Sequence, residues 1–144
     1  MVVELNDKAF LSWDDIEKQV NKLSEQIGKM DKKPLYIYGV PRGGAIPAIW
    51  ISHKTGIKYQ QINSSQISRV ADLSHVLIVD DICDSGETIK KIKEDFPKCL
   101  TATLYHKETA IDKPDIYGEI STYDWLYFPW ENQESSEIRD NTYE

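Results

Sequence analysis

The sequence is poor in the residues that mark several classes of protein. It holds two cysteines, Cys83 and Cys99, sixteen positions apart, with no C-x-x-C pair, and three histidines, His53, His75 and His106. Few ligands are left for a zinc site, and reduced thiols in a cytoplasmic protein are the natural reading. No apolar run approaches the roughly 20 residues of a membrane span. The first ten residues carry Glu4, Asp7 and Lys8 and lack an apolar run of signal-peptide length, so no export is expected. Positive charge is also scarce: 17 basic residues face 24 acidic ones, for a net charge of −7. The only short basic clusters are Lys32-Lys33 and Lys90-Lys91, which disfavours nucleic acid as a partner. There is no internal repeat, low-complexity segment or linker.

What remains is enough for one domain. The 144 residues are 40% hydrophobic and 28% charged, a mixture that builds a core and is unlike a disordered chain. We expect one domain over 1–131 and a polar, frayed tail over 132–144. Residues 12–30 read as a helix, with Ser12 as N-cap, Asp14 and Asp15 in the first turn, and Ile16, Val20, Leu23, Ile27 and Met30 on one face. Leu35–Val40 reads as a strand and Ala45–Lys54 as a buried helix, apolar nearly all round. Lys58–Ile62 is a short strand candidate. Asn63–Ser74 is polar and reads as a mobile loop. Val76–Val79 suits a central parallel strand covered on both faces, with Asp80–Gly86 as its loop and Glu87–Phe96 as the next helix. Cys99–Tyr105 is another strand and Ile116–Ile120 a weak one. This alternation indicates an α/β fold with a mostly parallel central sheet flanked by helices, whose sites form at the carboxyl ends of the strands.

The strongest signal is Val76-Leu-Ile-Val-Asp80-Asp81-Ile-Cys-Asp84-Ser85-Gly86-Glu87-Thr88. An apolar strand runs into two acids, then a third, then Ser-Gly-x-Thr at a helix start. The unpaired N–H groups and dipole of a helix N-terminus suit a phosphate. Gly86 permits close approach of the backbone, and Ser85 and Thr88 add hydroxyls. Asp80 and Asp81 would repel that phosphate, so they make sense facing sugar hydroxyls or a hard cation such as Mg2+. The bland reading, an N-capped helix with acids near its positive end, accounts for one acid but poorly for three.

This segment resembles the phosphoribosyl pyrophosphate (PRPP) signature of the type I phosphoribosyltransferases. The resemblance implies that family's fold, with Asp80 and Asp81 by the ribose hydroxyls and their Mg2+. It implies that Asp84, Ser85, Gly86, Glu87 and Thr88 wrap the 5′-phosphate, the Glu87 side chain pointing away, and that Asp84 is the catalytic acid/base near the purine imidazole ring. In that light Tyr38-Gly-Val-Pro41-Arg42-Gly43-Gly44, a common kind of strand-to-helix turn on its own, looks like the family's pyrophosphate loop. Arg42 and Gly43 match the pyrophosphate-binding positions, and the family often has a cis peptide there.

Near the C-terminus, Trp125-Leu126-Tyr-Phe-Pro129-Trp130-Glu131 resembles the close of the xanthine–guanine branch. The resemblance implies a small hood formed by about 107–131, in which Trp125 stacks on the purine, Leu126 contacts it through its backbone, and Lys107 donates to the 6-oxo group. The chemistry is coherent: an aromatic face suits a purine, and an ammonium selects a 6-oxo acceptor over a 6-amino donor. For Trp130 a packing role is preferred. One departure is the loop over 63–74, which is short and has Arg69 as its one cation; a short lid would leave the site wetter and turnover slower.

The resemblance thus implies a Mg2+-dependent transfer of the phosphoribosyl group from PRPP to a 6-oxopurine, in a cytoplasmic homodimer or homotetramer with no membrane or nucleic-acid partner. Exposed aromatics such as Tyr127 or Phe128 are candidates for the interface. The alternative is a non-catalytic PRPP- or nucleotide-binding regulatory protein of the same fold. A response-regulator receiver would place its acid pair after the first strand, and a haloacid-type phosphatase would need Asp-x-Asp, which Asp80-Asp81-Ile82-Cys83 does not supply.

Overall fold

The computed structural model describes residues 3–5, 7–61 and 75–131. The expected loop over 63–74 and the tail over 132–144 lie outside them. In chain order the elements are β1 (Val3–Leu5), β2 (Lys8–Phe10), α1 (Trp13–Gly28), β3 (Tyr36–Gly39), α2 (Ala45–Thr55), β4 (Lys58–Gln61), β5 (Val76–Cys83), α3 (Glu87–Asp95), β6 (Leu100–Lys107), β7 (Ile116–Ser121) and β8 (Trp125–Tyr127).

The main sheet has five strands in the order β4-β3-β5-β6-β7, and every neighbouring pair is parallel. Its centre shows why Val76–Val79 is apolar without alternation. Leu77 and Val79 face a core with Ile16, Val20, Leu23 and Ile27 of α1 and Ala48 and Ile51 of α2. Val76 and Ile78 face a second core with Tyr38, Val40, Ile92 and Phe96. A strand buried on both faces has no polar side to show. Each fully buried Leu, Ile or Val here contributes about 1.5–3 kcal/mol of transfer free energy.

α1 begins as its sequence indicates. Ser12 Oγ accepts from Asp15 N at 3.1 Å and Asp15 accepts from Ser12 N at 2.8 Å, a reciprocal cap. α2 is less enclosed than its composition suggests. Pro47, Ala48 and Ile51 are buried, but Ile49 is 42% exposed, because only one side of the helix meets α1 and the sheet.

Three features differ from the sequence reading. β5 does not end at Val79 but runs to Cys83, because Asp80, Ile82 and Cys83 continue the ladder against Thr103, Tyr105 and His106 of β6. Pairing with a neighbour overrides the low strand preference of the acids. A second, three-stranded sheet, β1-β2-β8, is assembled from the two ends of the described chain. β8 of the hood pairs in parallel with β2, which hairpins back on β1, while β7, although within 107–131, is an edge of the main sheet. Finally, Tyr127 and Phe128, expected to be exposed, are buried, because Tyr127 stacks on Phe10 at 4.7 Å and Phe128 on Trp130 at 5.0 Å. The exposed aromatics of this region are Phe10 and Trp13.

Candidate active site

Because the main sheet is parallel, the ends of β3, β5 and β6 open onto one edge, and the chemistry-bearing residues collect there. On β5, Asp80 Oδ1 accepts from Asp81 N and Asp81 Oδ1 accepts from Ile82 N, each at 2.8 Å. Both carboxylates are thereby held against the strand backbone rather than swinging freely.

The turn after β3 lies beside them. Val40 N donates to Val79 O of β5 at 2.8 Å, and Gly44 N donates back to Val40 O at 2.8 Å, closing the turn. The Pro41–Arg42 peptide is cis, and Arg42 is exposed. Gly43 packs directly on Asp81: a β-carbon there would overlap the carboxylate. Only glycine allows the turn and the acid pair to be this close.

After β5, Gly86 adopts φ 91° at the start of α3, where a side chain would be strained. Ser85 Oγ accepts from Glu87 N at 3.2 Å, so this hydroxyl serves the helix start. Ser85, Glu87 and Thr88 are exposed and Gly86 is buried. The loop after β6 backs this turn. Ile111 N donates to Ser85 O at 3.0 Å, Cys83 Sγ donates to Asp112 O at 3.1 Å, and Lys93 Nζ donates to Lys113 O.

Lys107, the last residue of β6, joins the two halves of the site. Its ammonium pairs with Asp84 Oδ1 at 3.3 Å and donates to Asp124 O at 3.2 Å. Two of its three donors are thus used, which leaves one for a ligand. Asp81, Asp84, Lys107, Trp125 and Leu126 line one open cleft, so five of the sequence candidates are brought together. Outside that lining stand Asp80 on β5, Arg42 and Gly43 on the turn after β3, Ser85 and Gly86 on the turn after β5, and Glu87 and Thr88 in the first turn of α3. Ile82, Tyr123, Asp124, Phe128 and Glu131 line it as well and were not foreseen. Glu131 had a signal, the acid closing the Pro-Trp-acid run; Asp124 acts through its backbone carbonyl, which no sequence pattern reveals. Glu131 also accepts from Phe128 N at 2.9 Å and closes the segment on itself. Trp130 stacks on Phe128 and lies 5.8 Å from Trp13 of α1, a packing arrangement.

The buried polar groups around the site are electrically quiet. Burial, with help from Asp80 among nearby charges, pushes the Cys83 thiol up to about 11, and burial pushes Cys99 to about 11 as well. Burial, with Lys113 nearby, holds His106 below the ordinary imidazole value. Neither thiol is an activated nucleophile. Among the described residues, no cluster of three or more His, Cys, Asp or Glu could hold a metal without further ligands, and no helix is long and apolar enough to cross a membrane.

No family model matches the chain. It is 28% identical to a xanthine-guanine phosphoribosyltransferase of Cereibacter sphaeroides, over 88% of this chain and 89% of that protein. Among solved structures it superimposes on a purine phosphoribosyltransferase from Pyrococcus horikoshii Ot3 with TM-score 0.72 and 31% identity, covering 88% of this chain and 95% of the other. The xanthine-guanine-hypoxanthine phosphoribosyltransferase of Helicobacter pylori shares the fold at TM-score 0.72 and 23% identity, over 90% and 96% of the two chains. With a relative above 30% identity matched over nearly its whole length, and the acid pair, the glycine turn and the lysine gathered at one sheet edge, the chain belongs to the type I phosphoribosyltransferases, in their 6-oxopurine branch.

Proposed function

We propose that this enzyme transfers the 5-phosphoribosyl group of PRPP to a 6-oxopurine base and releases pyrophosphate. The observation that carries the reading is the position of Lys107, held between Asp84 and the Asp124 carbonyl in the cavity that Trp125 lines. An ammonium there favours a carbonyl acceptor on the base, and an indole beside it offers a flat face to a purine. The relatives' names, which are those of enzymes, favour this over a regulatory role for the same fold.

In the reaction the bond from ribose C1 to the pyrophosphate oxygen breaks, a bond from C1 to a ring nitrogen of the base forms, and the base gives up a proton. Asp84 takes the role of the group that manages that proton. Asp80 and Asp81 face the ribose, whose C1 becomes positive in the transition state. Arg42 and the Gly43 backbone receive the pyrophosphate, and the turn at Asp84–Thr88 receives the 5′-phosphate. Lys107, Trp125 and Leu126 orient the base, a proximity contribution.

The acid pair fits Mg2+. Two carboxylates are too few for a closed cage but are the usual protein share where substrate oxygens complete the shell, and Asp81 lies against the turn that would hold the pyrophosphate. Bound there, Mg2+ would supply positive charge to the leaving group. A cytoplasmic setting agrees with two free, buried cysteines, and a homodimer or homotetramer agrees with the exposed Phe10 and Trp13.

The test is direct. Protein is incubated with PRPP, Mg2+ and each of guanine, xanthine, hypoxanthine, adenine and orotate, and nucleotide is quantified by chromatography. Product from one or more 6-oxopurines, lost on chelation, is the expected outcome. Folded protein that binds PRPP yet makes no nucleotide from any base would replace the enzyme reading with the regulatory one.

A further inference from the structure

The N-terminal hairpin holds an unusual residue. Asp7 has φ 60°, the one positive value at a non-glycine position among the described residues. Aspartate is among the side chains that tolerate this region, and β-branched residues are not. The consequence of the turn reaches the active site by three contacts. Asp7 O accepts from Asp124 N at 2.9 Å. Asp124 O accepts from Lys107 Nζ at 3.2 Å. Lys107 Nζ pairs with Asp84 at 3.3 Å. Asp124 is therefore held on its N–H side by the hairpin while its carbonyl holds the ammonium. The hold is continued by the β2–β8 ladder, which sets Lys8 opposite Trp125 and Ala9 opposite Leu126, and by Leu11 N donating to Tyr127 O at 2.9 Å.

We infer that Asp7 is a positioning residue: its left-handed turn fixes Asp124, and through the Asp124 carbonyl it aims the Lys107 ammonium at the base. The inference rests on the proposed function for the role of Lys107. A hairpin that only covered the core would affect all substrates alike. A hairpin that aims Lys107 affects the base more than PRPP, because this chain of bonds includes no residue of the turn after β3 and meets the turn after β5 only at its far end, through the Lys107–Asp84 pair.

Asp7→Val places a β-branched residue at the positive φ and Asp7→Asn restores a tolerant one. Steady-state kinetics with guanine and with PRPP as the varied substrate separate the two roles. For Asp7→Val the KM for guanine rises about tenfold while that for PRPP stays within about twofold, and Asp7→Asn returns the guanine KM to the wild-type value. An unchanged guanine KM in Asp7→Val, or equal rises for both substrates, overturns the inference. Should Asp7→Val fail to fold, amide exchange in the wild-type protein decides: guanosine monophosphate slows exchange at the Asp124 N–H and PRPP alone does not. Equal exchange with and without the nucleotide overturns the inference. Absence of turnover in the wild-type protein would count against the proposed function, and the exchange measurement, which needs no catalysis, would still decide the Asp7–Asp124 link.

Discussion

Lys107→Met separates what the lysine does for the fold from what it does for the base. Methionine keeps a long flexible stem and removes the ammonium. In the free protein the ammonium has two partners, Asp84 at 3.3 Å and the Asp124 carbonyl at 3.2 Å. The Lys107 and Asp84 side chains are 23% and 38% exposed, so solvent screens the pair and its contribution to stability is about 1 kcal/mol or less. In the proposed complex the same ammonium would make a charged hydrogen bond to the base carbonyl, worth about 1.5–3 kcal/mol. That corresponds to about a 10- to 150-fold loss in kcat/KM for guanine. The two effects are read in separate assays: nucleotide formation at saturating PRPP, and a thermal melt, in which the midpoint shifts by only a few degrees. Unchanged kcat/KM for guanine in Lys107→Met would refute the assignment of Lys107 to base recognition. A large fall in melting temperature would refute the view that the pair is weakly stabilising.

Asp84→Asn keeps the shape of the side chain and abolishes its proton-accepting role; kcat falls about 10²- to 10⁴-fold while PRPP affinity measured by calorimetry changes little, and retained turnover would remove Asp84 from acid/base work. Gly43→Ala drives a methyl group into the Asp81 carboxylate, so the turn or the acid must shift; the cost of such overpacking, about 1–3 kcal/mol, should raise the KM for PRPP with less effect on the KM for the base. His106 gives a pH dependence. Burial lowers its pKa in the folded protein, so below the ordinary value of 6.5 the unfolded chain binds a proton that the folded chain resists. Stability is full above that pH and declines as pH falls below it; melting temperatures at pH 7.5, 6.5 and 5.5 should fall less steeply for His106→Phe than for the wild type, and parallel curves would show that His106 does not titrate in this way.

The parts of the structure legible in the sequence are those specified locally. Ser12 and Asp15 cap α1 by contacts within one turn, and Val76–Val79 is apolar because both faces of the central strand are covered. The glycine turns are legible for the same reason: Gly43 and Gly86 answer to the space and φ at their own positions. β1, β2 and β8 are three residues each and owe their existence to one another, so no local pattern announces them. The extension of β5 through Asp80 and Asp81 depends likewise on the β6 ladder. Within the site, side chains with distinctive chemistry, Asp84, Lys107 and Trp125, stood out, whereas the Asp124 carbonyl carries no residue-type signal at all.

The meeting of Asp84 and Lys107 shows how a fold sets chemistry through register. The two residues are 23 positions apart in the sequence, a separation with no meaning in itself. On the sheet, Ile82 pairs with Tyr105 and Cys83 with His106, so Asp84 and Lys107 are the next step of the same parallel ladder. The strand with the acid pair thus delivers its third acid beside the lysine of the neighbouring strand, and the ion pair at 3.3 Å follows from the alignment of two apolar strands. A slip of one strand by one residue would turn its side chain to the other face of the sheet and part the pair. The buried residues Val79 and Ala102, paired deeper in the same ladder, therefore bear on the site indirectly, since the packing that fixes their register also fixes that Asp84 meets Lys107. It follows that core substitutions preserving volume should leave the Asp84–Lys107 pair intact, whereas an insertion after Val79 would separate it while leaving every functional residue present.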